Sequence, residues 1–192
     1  MPRKALILNG ERKGESTLGL AHQTAINTFS LDNWRVETVI LHERKIARCS
    51  GCFGCWTKTP GVCVIDDFGR ELAEKAVQCD LMLCLTPIAF GGYSSELKKA
   101  VDRFACPMQL PFFTKIDGEV HHKARYESLP RLICIGVLPG PEDESERLFT
   151  KLVKRNAINF HSPAAQAIII YHSQDREQIA ERLQAALRNI WQ

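Results

Sequence analysis

The segment Asp80-Leu-Met-Leu-Cys-Leu-Thr-Pro87 runs directly into Ile88-Ala-Phe-Gly-Gly-Tyr-Ser-Ser95 and contains the clearest evidence about the fold. Its first half is an almost unbroken apolar run, which is typical of a strand buried on both faces of a sheet. A helical pattern from about Glu96 to Phe104 follows, with apolar residues on one face. Strand, glycine loop and helix together form the repeating unit of a parallel α/β sheet.

The same unit recurs along the chain. Helix caps are predicted at Ser16, at Asp66 or Asp67, and at Ser173. The other four predicted strands are Lys4–Asn9, Arg35–Leu41, Arg131–Val137 and Ala164–Tyr171. Five strands that alternate with helices predict one flavodoxin-like domain over residues 1–192. Its sheet would be doubly wound, five-stranded and parallel, in the order 2-1-3-4-5, with helices on both faces.

Residues 106–128 fit neither a strand nor a helix pattern. The segment contains prolines, the pair Phe112-Phe113 and the pair His121-His122. It predicts an excursion between a helix and a strand, which acts as a lid or as an oligomer contact. The two phenylalanines are expected to pack against another surface, and the two histidines are expected to be solvated.

Composition excludes several classes of protein. A chain of 192 residues with 45% hydrophobic residues can bury one full core. A net charge of +3 does not indicate a nucleic-acid-binding surface. No apolar run in the sequence is long enough for a membrane span. The N-terminus lacks the pattern of a secretory signal, so we expect a cytoplasmic location. Eight cysteines then predict reduced thiols, metal ligands or redox chemistry rather than structural disulfides.

Two loops are expected to form a ligand site. In a sheet of this order, ligands bind beyond the C-terminal strand ends, near the switch between strands 1 and 3. Gly10–Thr17 joins a strand to a helix, an arrangement that binds phosphate, although Ser16 could simply cap the helix. Gly91-Gly92 allows the backbone to approach a planar ligand; the alternative is a helix-entry loop with no ligand. The cysteine-rich segment after strand 2 is expected to reach the same cleft.

The candidate binding residues follow from these two loops, and no side chain is assigned as a catalytic acid or base. In the first loop they are Asn9, Gly10, Arg12, Ser16 and Thr17. In the second loop they are Pro87, Ile88, Ala89, Phe90, Gly91, Gly92 and Tyr93, of which the two aromatic residues could stack on a ring or wall it.

Four cysteines form the candidate metal site: Cys49, Cys52, Cys55 and Cys63. The first three repeat every third residue, which is the spacing by which bacterial ferredoxins offer three thiolates to one [4Fe-4S] cubane. The fourth follows a Pro60-Gly61 turn and could complete the set. A zinc site is a second interpretation, against which the triplet counts. In the third, no metal binds, and Cys52 and Cys55 are free or form a redox pair.

Two of these segments resemble a known family. The segment Thr86–Arg103 resembles the signature of flavodoxin-like NAD(P)H-dependent FMN reductases: Thr-Pro, a Gly-Gly loop, Leu-Lys and a terminal Asp-Arg. The cysteine segment resembles the iron–sulfur flavoprotein branch of that group. The resemblance implies FMN with its phosphate at the first loop and its ring against Pro87 to Gly92. The first loop departs from the family pattern, because it carries Glu11 and Glu15.

The resemblance also implies an activity. Electrons would pass from NAD(P)H or a reduced ferredoxin-like donor, through FMN, to an acceptor such as a quinone or free flavin. Homodimers or homotetramers are expected. Two other functions fit the same scaffold: a flavodoxin-type electron carrier without turnover, and a thiol or metal-binding regulatory protein.

Overall fold

The computed structural model describes residues 2–192, apart from the side chain of Cys106. Its five-stranded parallel sheet consists of β1 (Lys4–Asn9), β2 (Arg35–Ile40), β3 (Leu81–Pro87), β6 (Arg131–Leu138) and β7 (Ala165–Tyr171). The strand order is β2-β1-β3-β6-β7, which is 2-1-3-4-5 counted over these five strands. The predicted fold class and strand order are confirmed.

Helices cover both faces of the sheet. They are α1 (Gly19–Leu31), α2 (Gly54–Thr57), α3 (Phe68–Gln78), α4 (Ser95–Met108), α5 (Asp143–Asn159) and α6 (Arg176–Ile190). Successive side chains of β3 point to opposite faces of the sheet. Leu81, Leu83 and Leu85 pack with α1 and α6 on one face. Met82 and Cys84 pack with α3, α4 and α5 on the other. Burial of a strand on both faces explains its continuous apolar sequence.

Two of the predicted helix caps are wrong. Helix α1 begins at Gly19, after Leu18, so Ser16 lies in the preceding loop. Helix α6 is capped by Asp175, which forms a capping box with Gln178, and this reciprocal pair outcompetes Ser173. Asp67 does cap α3, since its carboxylate accepts the Gly69 amide hydrogen at 2.8 Å.

The excursion at residues 106–128 is not irregular. Helix α4 extends to Met108, and an antiparallel hairpin follows, formed by β4 (Gln109–Ile116) and β5 (Glu119–Ala124). Its turn is Asp117-Gly118, with both residues at positive φ, which is a strong hairpin signal that sequence reasoning overlooked. Phe112 and Phe113 are exposed on the hairpin.

The hairpin corrects the expectation of two solvated histidines. His121 is only 8% exposed, and its Nδ1 lies 3.1 Å from Oδ1 of Asn159. His122 is half-buried, and Trp56 packs against its ring. Both histidines therefore anchor the hairpin to the domain. Within residues 2–192, no helix has both the length and the apolar character needed to span a membrane.

Candidate functional site

The loop after β3 is a fixed turn. The amide of Ser94 donates to Oγ1 of Thr86 at 2.8 Å, and Ala89 and Gly92 exchange two backbone hydrogen bonds. Phe90 and Gly91 at its tip have φ values of 50° and 71°. The Phe90 side chain consequently extends fully into solvent.

Gly91 is required for a reason other than ligand approach. A Cβ atom at this position would lie 2.6 Å from Cβ of Leu148 on α5. Both this contact and the positive φ exclude a larger residue. At Gly92, by comparison, a Cβ would meet the Ala89 carbonyl oxygen at 3.4 Å, which is close to an ordinary contact. The turn is therefore held against α5, and Gly92 is the position of the pair with more space around it.

Tyr93 faces inwards. Its hydroxyl accepts a hydrogen bond from Nδ2 of Asn156 at 3.0 Å, and its ring meets Phe149 edge-on. Burial raises the pKa of Tyr93, and the neighbouring Cys134 raises it further. This packing differs from the expectation that Tyr93 walls a ligand: the residue supports the turn from the core, and Phe90 is the outward-facing aromatic.

The first loop and the Gly-Gly loop lie side by side, as predicted. The hydroxyl of Ser94 donates to the Gly10 carbonyl oxygen at 2.5 Å, and the Gly10 amide donates to the Leu85 carbonyl oxygen at 2.8 Å. A Cβ on Gly10 would lie 2.8 Å from Cβ of Leu97. The absence of a side chain at Gly10 thus allows the two loops to meet at the edge of the sheet.

Several polar side chains near the first loop have partners between Asn9 and Leu18. Oδ1 of Asn9 accepts the Glu11 amide hydrogen at 2.9 Å. Oε1 of Glu11 accepts the Leu18 amide hydrogen, also at 2.9 Å, directly before α1. Arg12 pairs with Glu15 at 3.4 Å. The Glu11 carboxylate therefore lies at the N-terminal end of α1, where a phosphate group was expected.

Ser16 and Thr17 are exposed and line a groove of about 250 Å³ on the α1 side of the sheet. The ends of β6 and β7 form its other wall, through Val137 and Tyr171. The groove is open at the C-terminal edge of the sheet. The two hydroxyl groups therefore lie beside the loop rather than in its hydrogen-bonded centre.

A histidine in α1 interacts electrostatically with the Glu11 carboxylate. His22, in the first turn of α1, is half-buried, and among the described residues its Nε2 has no hydrogen-bond partner. Burial lowers the pKa of His22, and the negative charge of Glu11 acts in the opposite direction. The pKa of the His22 imidazole therefore depends on the charge of Glu11.

An ion pair holds the two ends of the cysteine-rich segment together. Arg103 on α4 donates to both carboxylate oxygens of Asp67, at 2.9 and 3.2 Å, and also to the carbonyl oxygens of Ala47 and Ile65. The side chains of Arg103 and Asp67 are 1% and 3% exposed. Burial tends to raise the pKa of Asp67, but hydrogen bonds from Arg103, Ala47 and Gly69 outweigh it and lower that pKa. Sequence reasoning identified Asp67 as a cap only and missed this pairing.

The four candidate metal ligands surround one small cavity. Cys49, Cys52, Cys55 and Cys63 line a space of about 90 Å³, together with Phe53, Trp56, Ile65 and Arg103. Over the described residues, no three His, Cys, Asp or Glu side chains are grouped closely enough to hold a metal ion. Hydrogen bonding from the Gly54 amide, and then from the Ser50 hydroxyl, lowers the pKa of the exposed Cys52. The donor set has the chemistry of a thiolate site, with its sulfur atoms spread around the cavity.

The thiols lie against the second half of helix α4. Asp102, Arg103 and Ala105, in the second half of α4, line their cavity. The Gly-Gly loop, by comparison, leads into Ser95 at the start of that helix. At 1.5 Å per residue, Ser95 and Arg103 are about 12 Å apart along the helix axis. A larger cavity of about 640 Å³ adjoins the thiols on the α3 side, and Cys63 and Arg103 line both cavities.

These features first define a class: a doubly wound α/β protein with adjacent loops at the switch point of its sheet, where such proteins bind ligands. A family model described as NADPH-dependent FMN reductase matches residues 3–124, which is more than half of the chain. The chain therefore belongs to the NADPH-dependent FMN reductase family.

The chain is also similar to individual known proteins. One is an iron-sulfur flavoprotein of Methanocaldococcus jannaschii, 29% identical over 119 residues. This match covers 61% of the chain and 60% of the relative, so it spans less than two thirds of the relative's length.

Solved structures support the fold. An NAD(P)H:quinone oxidoreductase from Methanothermobacter marburgensis has a TM-score of 0.73 at 13% identity, covering 100% of this chain and 98% of that one. An FMN-dependent NADH-azoreductase from Bacillus anthracis, in complex with FMN, has a TM-score of 0.64 at 14% identity, covering 98% and 99%. The TM-scores show that the fold is shared. At identities this low, the comparison extends to the fold alone.

Proposed function

We propose that this chain binds FMN at the rim between its two adjacent loops and uses it to pass electrons from NAD(P)H to a small-molecule acceptor. The observation that carries the proposal is the bond from the Ser94 hydroxyl to the Gly10 carbonyl oxygen, which joins the loops at the switch point of the sheet. Family membership supports the same choice of flavin and donor. The bound flavin would supply the site for hydride transfer.

The residues of the rim have distinct roles in this proposal. The backbone around Gly10, with Arg12, Ser16 and Thr17, would bind the phosphate. Residues 87–92 would form the wall for the ring, and Phe90 would cover the ring from the solvent side. Tyr93 and Thr86 would fix the turn from beneath, through their bonds to Asn156 and Ser94.

The acceptor would be a quinone or free flavin. A quinone oxidoreductase and an azoreductase with this fold support an aromatic acceptor that stacks on the flavin. A reduced ferredoxin-like donor and a homodimeric or homotetrameric assembly remain predictions of the family resemblance. The exposed hairpin with Phe112 and Phe113 is the candidate surface for a lid or for contact between subunits.

Cys49, Cys52, Cys55 and Cys63 would hold a [4Fe-4S] cluster. Support comes from the triplet spacing, from the shared cavity with its aromatic wall, and from the name of the iron-sulfur flavoprotein relative. Binding would have to draw the four sulfur atoms together, because they surround the cavity without forming a compact ligand set. Zinc and a metal-free Cys52–Cys55 redox pair are the alternatives.

The test is an anaerobic purification followed by a visible spectrum, iron and sulfide analysis, and titration with FMN. We expect flavin absorbance or saturable FMN binding, and NAD(P)H consumption with a quinone. Flavin binding without turnover would instead indicate an electron carrier. Metal or disulfide changes without any flavin binding would indicate the regulatory alternative and contradict the proposal.

Phe90→Ala tests the position of the ring. Because Phe90 is fully exposed, the variant should fold normally. We expect the dissociation constants of FMN and of riboflavin to rise together by about two- to tenfold, the size of one aromatic stacking contact. Leu31→Ala, at another exposed apolar residue, is the matched control. Unchanged affinity in Phe90→Ala would place the ring elsewhere.

A further inference from the structure

The first loop contains its own anion. The Glu11 carboxylate accepts the Leu18 amide hydrogen at 2.9 Å, directly before the 13-residue helix α1. A helix of this length attracts negative charge to its N-terminal end, because the first amide groups have no partners within the helix. Glu11 supplies that charge from within the protein.

The Glu11 backbone is held in place from two further directions. Its own amide donates to Oδ1 of Asn9 at 2.9 Å, and its carbonyl oxygen lies 3.1 Å from Nδ1 of His42. These two bonds fix the backbone from which the Glu11 carboxylate reaches the Leu18 amide. The one cation of the loop with a resolved ion pair, Arg12, faces Glu15.

A phosphate group at the proposed FMN site would compete with Glu11 for the same amide. One amide hydrogen cannot serve a carboxylate and a phosphate oxygen fully at once, and two negative groups at one helix end repel each other. A phosphate that takes this amide displaces the Glu11 carboxylate, and that displacement lowers the affinity for phosphate. A flavin without a phosphate requires no such displacement.

We propose that Glu11 occupies the phosphate position of the proposed FMN site and thereby weakens the preference of this chain for FMN over riboflavin. This inference rests on the proposed function. It assigns a specificity role to a residue at which the chain departs from the usual first-loop pattern of its family. Glu11 would make the flavin-free loop stable and would leave it when FMN binds.

The experiment measures dissociation constants of FMN and riboflavin by fluorescence quenching for the wild type, Glu11→Gln and Glu11→Ser. The glutamine variant removes the charge while keeping the size, and the serine variant supplies a short hydroxyl in its place. Glu43→Gln is the matched control, because it removes one negative charge from an exposed residue of the neighbouring turn. Circular dichroism of each variant verifies folding.

We expect both Glu11 variants to bind FMN about tenfold more tightly than the wild type, with riboflavin affinity changed by less than about twofold. The control should leave the ratio of the two affinities unchanged. The inference is overturned if flavins bind but the ratio does not move, or if the variants bind FMN more weakly. If neither flavin binds to any of the proteins, the proposed function itself fails, which is a separate result.

Discussion

At the scale of single residues, the electrostatics of the first loop depend on Glu11 and His22. The Glu11 carboxylate sits at the amide before α1, and the partly buried imidazole of His22 responds to its charge. Burial lowers the pKa of His22 more than Glu11 raises it. The two residues therefore provide a spectroscopic and thermodynamic test of the loop that does not require a bound flavin.

The His22 imidazole should make stability depend on pH. In the unfolded chain it takes up a proton near pH 6.5, and in the folded chain only at lower pH, so the unfolded state binds more protons between these values. The free energy of unfolding should consequently fall as the pH drops from 6.5 to the folded pKa. His22→Gln should reduce this slope in denaturant unfolding, and Glu11→Gln should lower the folded pKa in an NMR titration. Identical slopes for His22→Gln and the wild type would contradict this account.

At the scale of elements, Arg103 of helix α4 holds the two ends of the cysteine-rich segment close together. Arg103 bonds Asp67, Ala47 and Ile65, so one guanidinium joins three points that precede and follow the cysteines. Asp67 also caps α3. The position of the thiols therefore depends on α3 and α4 as much as on the segment itself.

Replacing Arg103 should lower the free energy of unfolding. Arg103→Met leaves the Asp67 carboxylate buried without its cation, and we expect a loss of about 3–5 kcal/mol in the free energy of unfolding. Lys98→Met removes the exposed partner of Asp102 on the same helix and should change it by less than about 1 kcal/mol. Urea unfolding of both variants measures the difference. Equal effects of the two substitutions would show that the buried pair does not hold the segment.

Elements were predictable from sequence where a local pattern decides them. Strands β1, β3 and β6 were predictable because burial on both faces produces continuous apolar runs such as Leu81–Pro87. The cap of α6 was missed because Ser173 and Asp175 both suit that role, and only the contact with Gln178 selects between them. The pairing of Arg103 with Asp67 joins residues 36 positions apart, a separation that periodicity does not reveal.

At the scale of the whole molecule, the strand order determines where the site lies. Placing β1 beside β3 brings Gly10 next to Ser94, so the sequence was sufficient to predict that the two loops meet. The location of the thiols was not predictable in the same way. It depends on how the segment after β2 folds back onto the second half of α4, where Asp102, Arg103 and Ala105 line the cavity.

The most direct test of the account is an NMR titration of the flavin-free, isotope-labelled protein with FMN. We predict that the largest amide shifts occur at Gly10, Leu18 and Gly91, with saturation at one FMN per chain. Shifts confined to residues outside the two loops, or no saturable shifts at all, would contradict the placement of a flavin at the switch point of the sheet.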